Sequence, residues 1–234
     1  GDTDPECRYE AVKALSSWEG AGPYDALKAY AIKTDLETHN VLALRACLRL
    51  LDLRPDVAEN DRLAALSDLD KAARRQEEKD IIAAARVNLR VSDIQAGTKK
   101  PYVLVRRGFT IGNKVYIDRD YTFTEIPEAL ATADHLMTAM DDKYSKGGDF
   151  LTFSINRAAT VLVAYDSRAQ SVPDWLRDWT RLKAPLKSTD RGCPLNLYGK
   201  RFEAGKVILP GNNPVQGVGA MYTLGISSTP LPSE

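Results

Sequence analysis

Apolar residues recur at helical spacing through the first third of the chain and at strand spacing through the rest. Asp4-Pro5-Glu6 supplies an N-cap, a proline at the first helical position and an acidic first turn; Tyr9, Val12, Leu15 and Trp18 then mark one helix face. Gly20 and Gly22 end that helix. A second, on Tyr24, Leu27, Tyr30 and Ile32, is expected over 23–33. Thr34-Asp35 is expected to cap a third, whose Val41, Leu44, Leu48 and Leu51 form a stripe with its arginines on the solvated side. Pro55-Asp56 opens a fourth through Leu63, Leu66 and Leu69, and 76–87 makes a fifth on Ile81, Ile82 and Ala85. Short connections and pairing at a period of about 35–40 residues fall in the range of helical solenoid repeats.

The helical period breaks over 88–101, where Ser92, Asp93, Gly97, Thr98 and Lys99-Lys100 predict a short linker with a boundary near 95. Beyond it, Val-, Tyr-, Ile- and Thr-rich stretches predict strands at 102–106, 114–118, 121–123, 135–139, 181–182, 195–198, 206–209 and 221–226. A polar loop is expected at 140–149 and a helical turn at 173–179. Residues 150–168 are the centre of the pattern. Leu151, Phe153 and Ile155 share one face of a strand, and Val161, Val163 and Tyr165 share one face of the next, which predicts a central hairpin turning at 156–159. The expected fold class is α+β in two domains, a short helical repeat over 1–95 and an antiparallel β-sandwich or jelly roll over 96–234, with a tail from Ser227.

Two resemblances sharpen this. ETHNVLALRACLRLL, within residues 4–89, resembles HEAT-like repeats of secreted multi-domain bacterial proteins. The succession KVYIDRDYTFTEIP, TAMDDKYSKGGDFLTFSINRAATVLVAYDSRA, PDWLRDW and LNLYGKRFEAGKVILPGN resembles a β-sandwich module of secreted bacterial proteins associated with polysaccharide breakdown. That resemblance spans about residues 108–213. It implies a β-sandwich fold, a secreted, periplasmic or cell-surface setting, and a glycan context, and it carries no established catalytic or binding residue.

Composition narrows the partners. Lys plus Arg equals Asp plus Glu at 32 each, so nothing is built to neutralise a phosphate backbone and nucleic acid is not expected. No apolar run approaches the ~18 residues of a membrane helix, so no membrane span is expected. The chain starts at Gly1 rather than Met, which leaves a removed leader open. Cys7, Cys47 and Cys193 lack the paired spacings of a zinc site or disulfide scaffold; a Cys7–Cys47 bridge is left open, with small buried hydrophobes as the main expectation. His39 and His135 have no ligand-type neighbour at metal spacing.

Tyr165, Asp166, Arg168, Trp175 and Trp179 combine aromatic faces with planar polar groups, the chemistry that stacks on sugar C–H surfaces and satisfies hydroxyls. The competing expectation is that Asp166 and Arg168 pair at a strand end and the tryptophans plug the sheet. Asp141, Asp142 and Asp149 in a glycine-containing loop are candidates for calcium, although Lys143 and Lys146 intrude and the spacing is not an EF-hand. Asp118, Asp120 and Glu125 are the carboxylates from which a glycoside-hydrolase pair would be drawn. No G-x-S-x-G turn or phosphate-cradling loop is present. The expected function is a non-catalytic carbohydrate-binding or accessory part of a glycan-processing protein. The alternatives are a scaffold or spacer docking a neighbouring protein domain, and a glycoside hydrolase.

Overall fold

Amphipathic spacing in the first 88 residues produces, among the described residues, five helices: α1 (Pro5–Ser16), α2 (Tyr24–Lys33), α3 (Glu37–Asp52), α4 (Glu59–Ala72) and α5 (Gln76–Val87). The structure, a computed structural model, describes residues 4–54, 57–190 and 193–231. The chain divides into two compact units, Gly1–Asn88 and Leu89–Glu234, each with its own apolar cluster.

α3 is the core of the helical unit. Ala43, Leu44, Cys47, Leu50 and Leu51 fall on one face and are buried with Leu27 of α2, Leu66 and Leu69 of α4 and Ile82 of α5. Asn40, on the same helix, donates from Nδ2 to the carbonyls of Ala31 (2.8 Å) and Ala72 (3.1 Å), two acceptors left over at the last turns of α2 and α4. The arginines of α3 do more than face solvent. Arg49 Nη2 donates to the carbonyls of Ser16 (2.6 Å) and Trp18 (2.8 Å) and so closes the end of α1. Thr34 does not cap α3; its hydroxyl accepts from the Leu36 amide one turn earlier, and Leu36 is the N-cap residue. The helix start expected at Pro55-Asp56 lies outside the described residues. The Cys7–Cys47 bridge is not formed; Cys7 is exposed, and Cys47 and Cys193 are buried thiols.

Among the described residues the β unit has eleven strands: β1 (Val91–Ala96), β2 (Val103–Val105), β3 (Phe123–Glu125), β4 (Asp134–Met137), β5 (Leu151–Ile155), β6 (Ala159–Asp166), β7 (Thr180–Arg181), β8 (Lys187–Ser188), β9 (Leu195–Phe202), β10 (Gly205–Leu209) and β11 (Thr223–Ser227). They form antiparallel sheets ordered β1-β5-β10, β2-β4-β11-β6-β9-β7 and β3-β8, none of them closed. One apolar cluster draws on both larger sheets, with Phe153 and Val207 from the first and Val163 and Leu224 from the second.

The strands over 150–168 are where expected, but they do not form a hairpin. β5 pairs with β1 and β10, whereas β6 pairs with β11 and β9, so the chain crosses from one sheet to the other between Ile155 and Ala159. Asn156 holds that crossing, its side chain accepting from the Arg90 amide at 2.8 Å and its amide donating to the Arg90 carbonyl at 3.2 Å. Every residue of β6 is buried, so both faces of the six-stranded sheet are covered at this strand.

The expected linker over 88–101 is instead largely β1. Ser92 and Asp93, read as breakers, sit in the strand, where Asp93 adopts φ 53° at a register irregularity between Ser92 and Gln95. Residues 114–118 contribute only bridges, Lys114 to Thr122 and Tyr116 to Thr138, rather than a strand.

Candidate functional site

The end of β6 gathers the residues singled out for sugar contact. Asp166 is 1% exposed. Its carboxylate accepts from Arg168 Nε at 3.0 Å and Nη2 at 2.9 Å, and from the backbone amides of Arg168 (3.0 Å), Gly219 (2.7 Å) and Ala220 (2.9 Å). Burial works to raise its pKa. The bonds from Arg168 and Gly219, with the Cys193 thiol, outweigh it and hold the group down at about 2. The carboxylate is a fixed anion that pins the loop before β11 to the end of β6.

Glycines make that approach feasible. Gly217 has φ +94°, and a Cβ there would lie 2.2 Å from the Arg168 carbonyl. Tyr165 donates from its hydroxyl to the Asn212 carbonyl at 3.1 Å, and burial pushes its pKa up to about 12. Asn212 in turn donates from Nδ2 to the carbonyls of Lys143 (2.7 Å) and Ala220 (3.0 Å).

The tryptophans pack inward from the 3₁₀ turn Asp174–Leu176. Trp179 is 7% exposed and Trp175 half-buried; their rings meet edge to face at 5.8 Å, and Trp175 also meets Tyr222 at 5.8 Å. The Trp175 indole nitrogen is enclosed and reaches no acceptor among the described residues. The five residues are brought together, but as a strand-end lock and a plug; only the Arg168 side chain is substantially open to solvent.

The calcium candidates do not converge. Asp142 is buried and accepts from Lys100 Nζ (2.7 Å) and the hydroxyls of Thr98 (2.9 Å) and Tyr102 (2.8 Å). Asp141 pairs with Arg119 at 2.5 Å, and Asp149 is exposed. Among the described residues no group of three metal-type ligands forms. The carboxylates weighed for hydrolysis are each engaged by other groups. Asp118 accepts from the amides of Met140 (2.7 Å) and Asp141 (3.0 Å), Asp120 pairs with Lys114 at 2.7 Å, and Glu125 pairs with Lys187 at 2.7 Å. Asp134 holds the Arg107 amide at 3.0 Å and Arg106 at 2.7 Å.

His135, on β4, is 1% exposed. Its Nε2 lies 2.8 Å from the Thr223 hydroxyl, and its ring sits between Phe109 and Phe123 at 4.6 and 5.1 Å. Burial lowers its pKa to about 3, so the ring is neutral near pH 7. The remote partners of Asp142 and Asp166 had no local signal in the chain, because they lie 40 or more residues away along it, as Tyr102 lies 40 from Asp142 and Gly219 lies 53 from Asp166. The glycines at 217 and 219 were the one available hint of a close backbone approach.

No family model matches the chain, and no curated protein matches it. Among solved structures, the chain is similar to a β-glucuronidase from glycoside hydrolase family 2, with 21% identity and a TM-score of 0.52 over 58% of this chain and 14% of that one. A glycoside hydrolase family 138 enzyme targeting pectin rhamnogalacturonan II aligns at 13% identity and a TM-score of 0.43, over 92% of this chain and 30% of that one. The chain thus spans well under half the length of either, and the first likeness is one of fold.

Proposed function

We propose that this chain is a non-catalytic accessory part of a secreted glycan-processing protein. In this reading the β unit positions or spaces neighbouring parts, and the helical unit is a short HEAT-like element. The observation that carries it is the state of the β unit's acids. Asp118, Asp134, Asp142 and Asp166 each hold backbone amides, hydroxyls or cations. A glycosidase acid needs a carboxyl with a raised pKa facing a second carboxylate. Asp166 is held down at about 2, and Asp120 and Asp141 are lowered by their bonds to Lys114 and Arg119.

The fold likeness to part of a family 2 glycoside hydrolase supports the glycan setting, as does the resemblance of residues 108–213 to a module of polysaccharide-degrading proteins. The free thiols are compatible with an oxidising compartment, because burial raises Cys47 and Cys193 to about 12 and so suppresses the thiolate that oxidation requires. Inward packing of Trp175 and Trp179 favours the spacer role over stacking of sugar on these rings.

Sedimentation with insoluble polysaccharides tests the division of roles. Any retention of the full chain should be unchanged in Trp175→Phe and Arg168→Lys. Retention that is lost in both variants, with folding intact, would return the binding role to this end of the β unit.

A further inference from the structure

The helical unit contains a cleft of about 280 Å³ with convergent chemistry. Val41 and Leu42 give it an apolar lining, Tyr9 and Thr38 stand beside them, and Glu37, Arg45 and Arg75 supply charged, planar groups. The polar side is held from beneath. Glu78, 1% exposed, accepts from Arg45 Nε (3.1 Å) and Nη2 (2.8 Å) on one oxygen and pairs with Arg75 Nε at 3.1 Å on the other. Glu77 takes Arg45 Nη2 at 2.7 Å and also pairs with Arg75. Both guanidinium planes are therefore fixed before any ligand arrives.

The aromatic side is fixed as well. Tyr9 packs on His39 with ring centroids 5.4 Å apart, and His39 Nδ1 lies 2.6 Å from the Tyr30 hydroxyl. Tyr9 nonetheless remains 37% exposed. An immobilised ring thus stands beside immobilised hydrogen-bonding forks and a threonine hydroxyl.

Charge decides the ligand class. Arg45 and Arg75 are set against Glu37, Glu77 and Glu78, so the cleft is close to balanced and slightly acidic. A bare anion meets Glu37 and two guanidinium groups already paired with Glu77 and Glu78, and a cation meets those guanidinium groups. A neutral ring with an apolar C–H face and vicinal hydroxyls satisfies Tyr9, the lining and the polar forks together. The volume lies at the small end of the roughly 300–1,000 Å³ of small-molecule sites, which suits one ring rather than a chain of them.

We propose that the cleft between Tyr9, Val41 and the Arg45–Arg75 pair binds a single neutral sugar residue of a glycan. This rests on the accessory reading above and moves the sugar contact from the β unit to the helical unit.

Saturation-transfer NMR on the full chain, with neutral methyl glycosides of hexoses and pentoses and with methyl glucuronide as a charged control, tests it. At least one neutral glycoside should receive saturation with millimolar affinity, and Tyr9→Ala and Thr38→Val should each weaken it by about tenfold or more while the circular dichroism is unchanged. Both side chains are exposed, so the fold should survive their loss. Absence of transfer to every neutral glycoside, equal transfer in Tyr9→Ala, or preference for the glucuronide would each overturn the proposal. Polysaccharide retention that survives Tyr9→Ala would remove the cleft and leave the accessory reading standing. Glycan cleavage by the chain, with sugar still bound at Tyr9, would do the reverse.

Discussion

At the scale of single residues, the buried ionisable groups divide the pH axis between them. The unfolded chain binds a proton on His135 near the ordinary histidine value of 6.5, whereas the folded chain resists it down to about 3. Stability contributed by the neutral ring is therefore complete above about pH 6.5 and falls as pH drops toward 3, by up to about 1.4 kcal/mol per pH unit. His135→Gln keeps a partner for Thr223 and removes the titration. Its urea midpoint is expected to be lower than wild type at pH 7, with a much flatter decline between pH 6.5 and 4; a parallel decline in both proteins would show that His135 is not the sensitive group.

Asp166 acts lower on the scale. Its folded value of about 2 lies below the ordinary 3.8, so its contribution is present above about pH 4 and is lost as pH falls through 2. Asp166→Asn leaves Arg168 without its carboxylate and weakens the hold on Gly219 and Ala220, and should cost about 2–3 kcal/mol at pH 7 in denaturant unfolding. The Asp166–Arg168 pairing was legible in the sequence because the two residues are neighbours. The amides at 219 and 220 were not, because the contact is made by the fold.

At the scale of elements, local chemistry was read well where the element is self-contained. α1 follows from its Asp4 cap, an acidic first turn and a 3.6-residue stripe, and α5 from its stripe, all of which are local. The existence of β5 and β6 was equally local, in the alternation of Leu151, Phe153 and Ile155 and the apolar run that follows. Their pairing was not. A short connection suggested a hairpin, but β1 and β11 supply the hydrogen bonds, and neither is adjacent in sequence. β1 itself was hidden because Asp93 at a bulge looks like a turn residue.

Two glycines separate strain from crowding at this scale. Gly112 has φ +89° with open space where a Cβ would stand, whereas Gly217 has φ +94° with the Arg168 carbonyl 2.2 Å from that position. Gly112→Ala should cost about 1 kcal/mol from backbone strain alone, and Gly217→Ala clearly more, because the loop before β11 must also move. Thermal unfolding that ranks them equally would mean the loop yields freely.

At the scale of the whole molecule, the chain divides into two compact units, residues 1–88 and 89–234, each with its own apolar cluster. A chain of residues 89–234 should therefore unfold cooperatively on its own, as followed by near-ultraviolet circular dichroism of its tryptophans. A non-cooperative melt would mean that this core is incomplete. The proposed glycan setting was suggested by segment order, whereas the position of any sugar contact depends on which aromatics face water, a property set by tertiary packing.

The proposed accessory role requires that the acids of this chain hold structure and do not hydrolyse. The most direct measurement is the appearance of new reducing ends when the full chain is incubated with a panel of plant and host polysaccharides at pH 5 to 8. None above the blank is expected for any substrate. Sustained release that persists through repurification and disappears in Asp118→Asn or Asp142→Asn would contradict it.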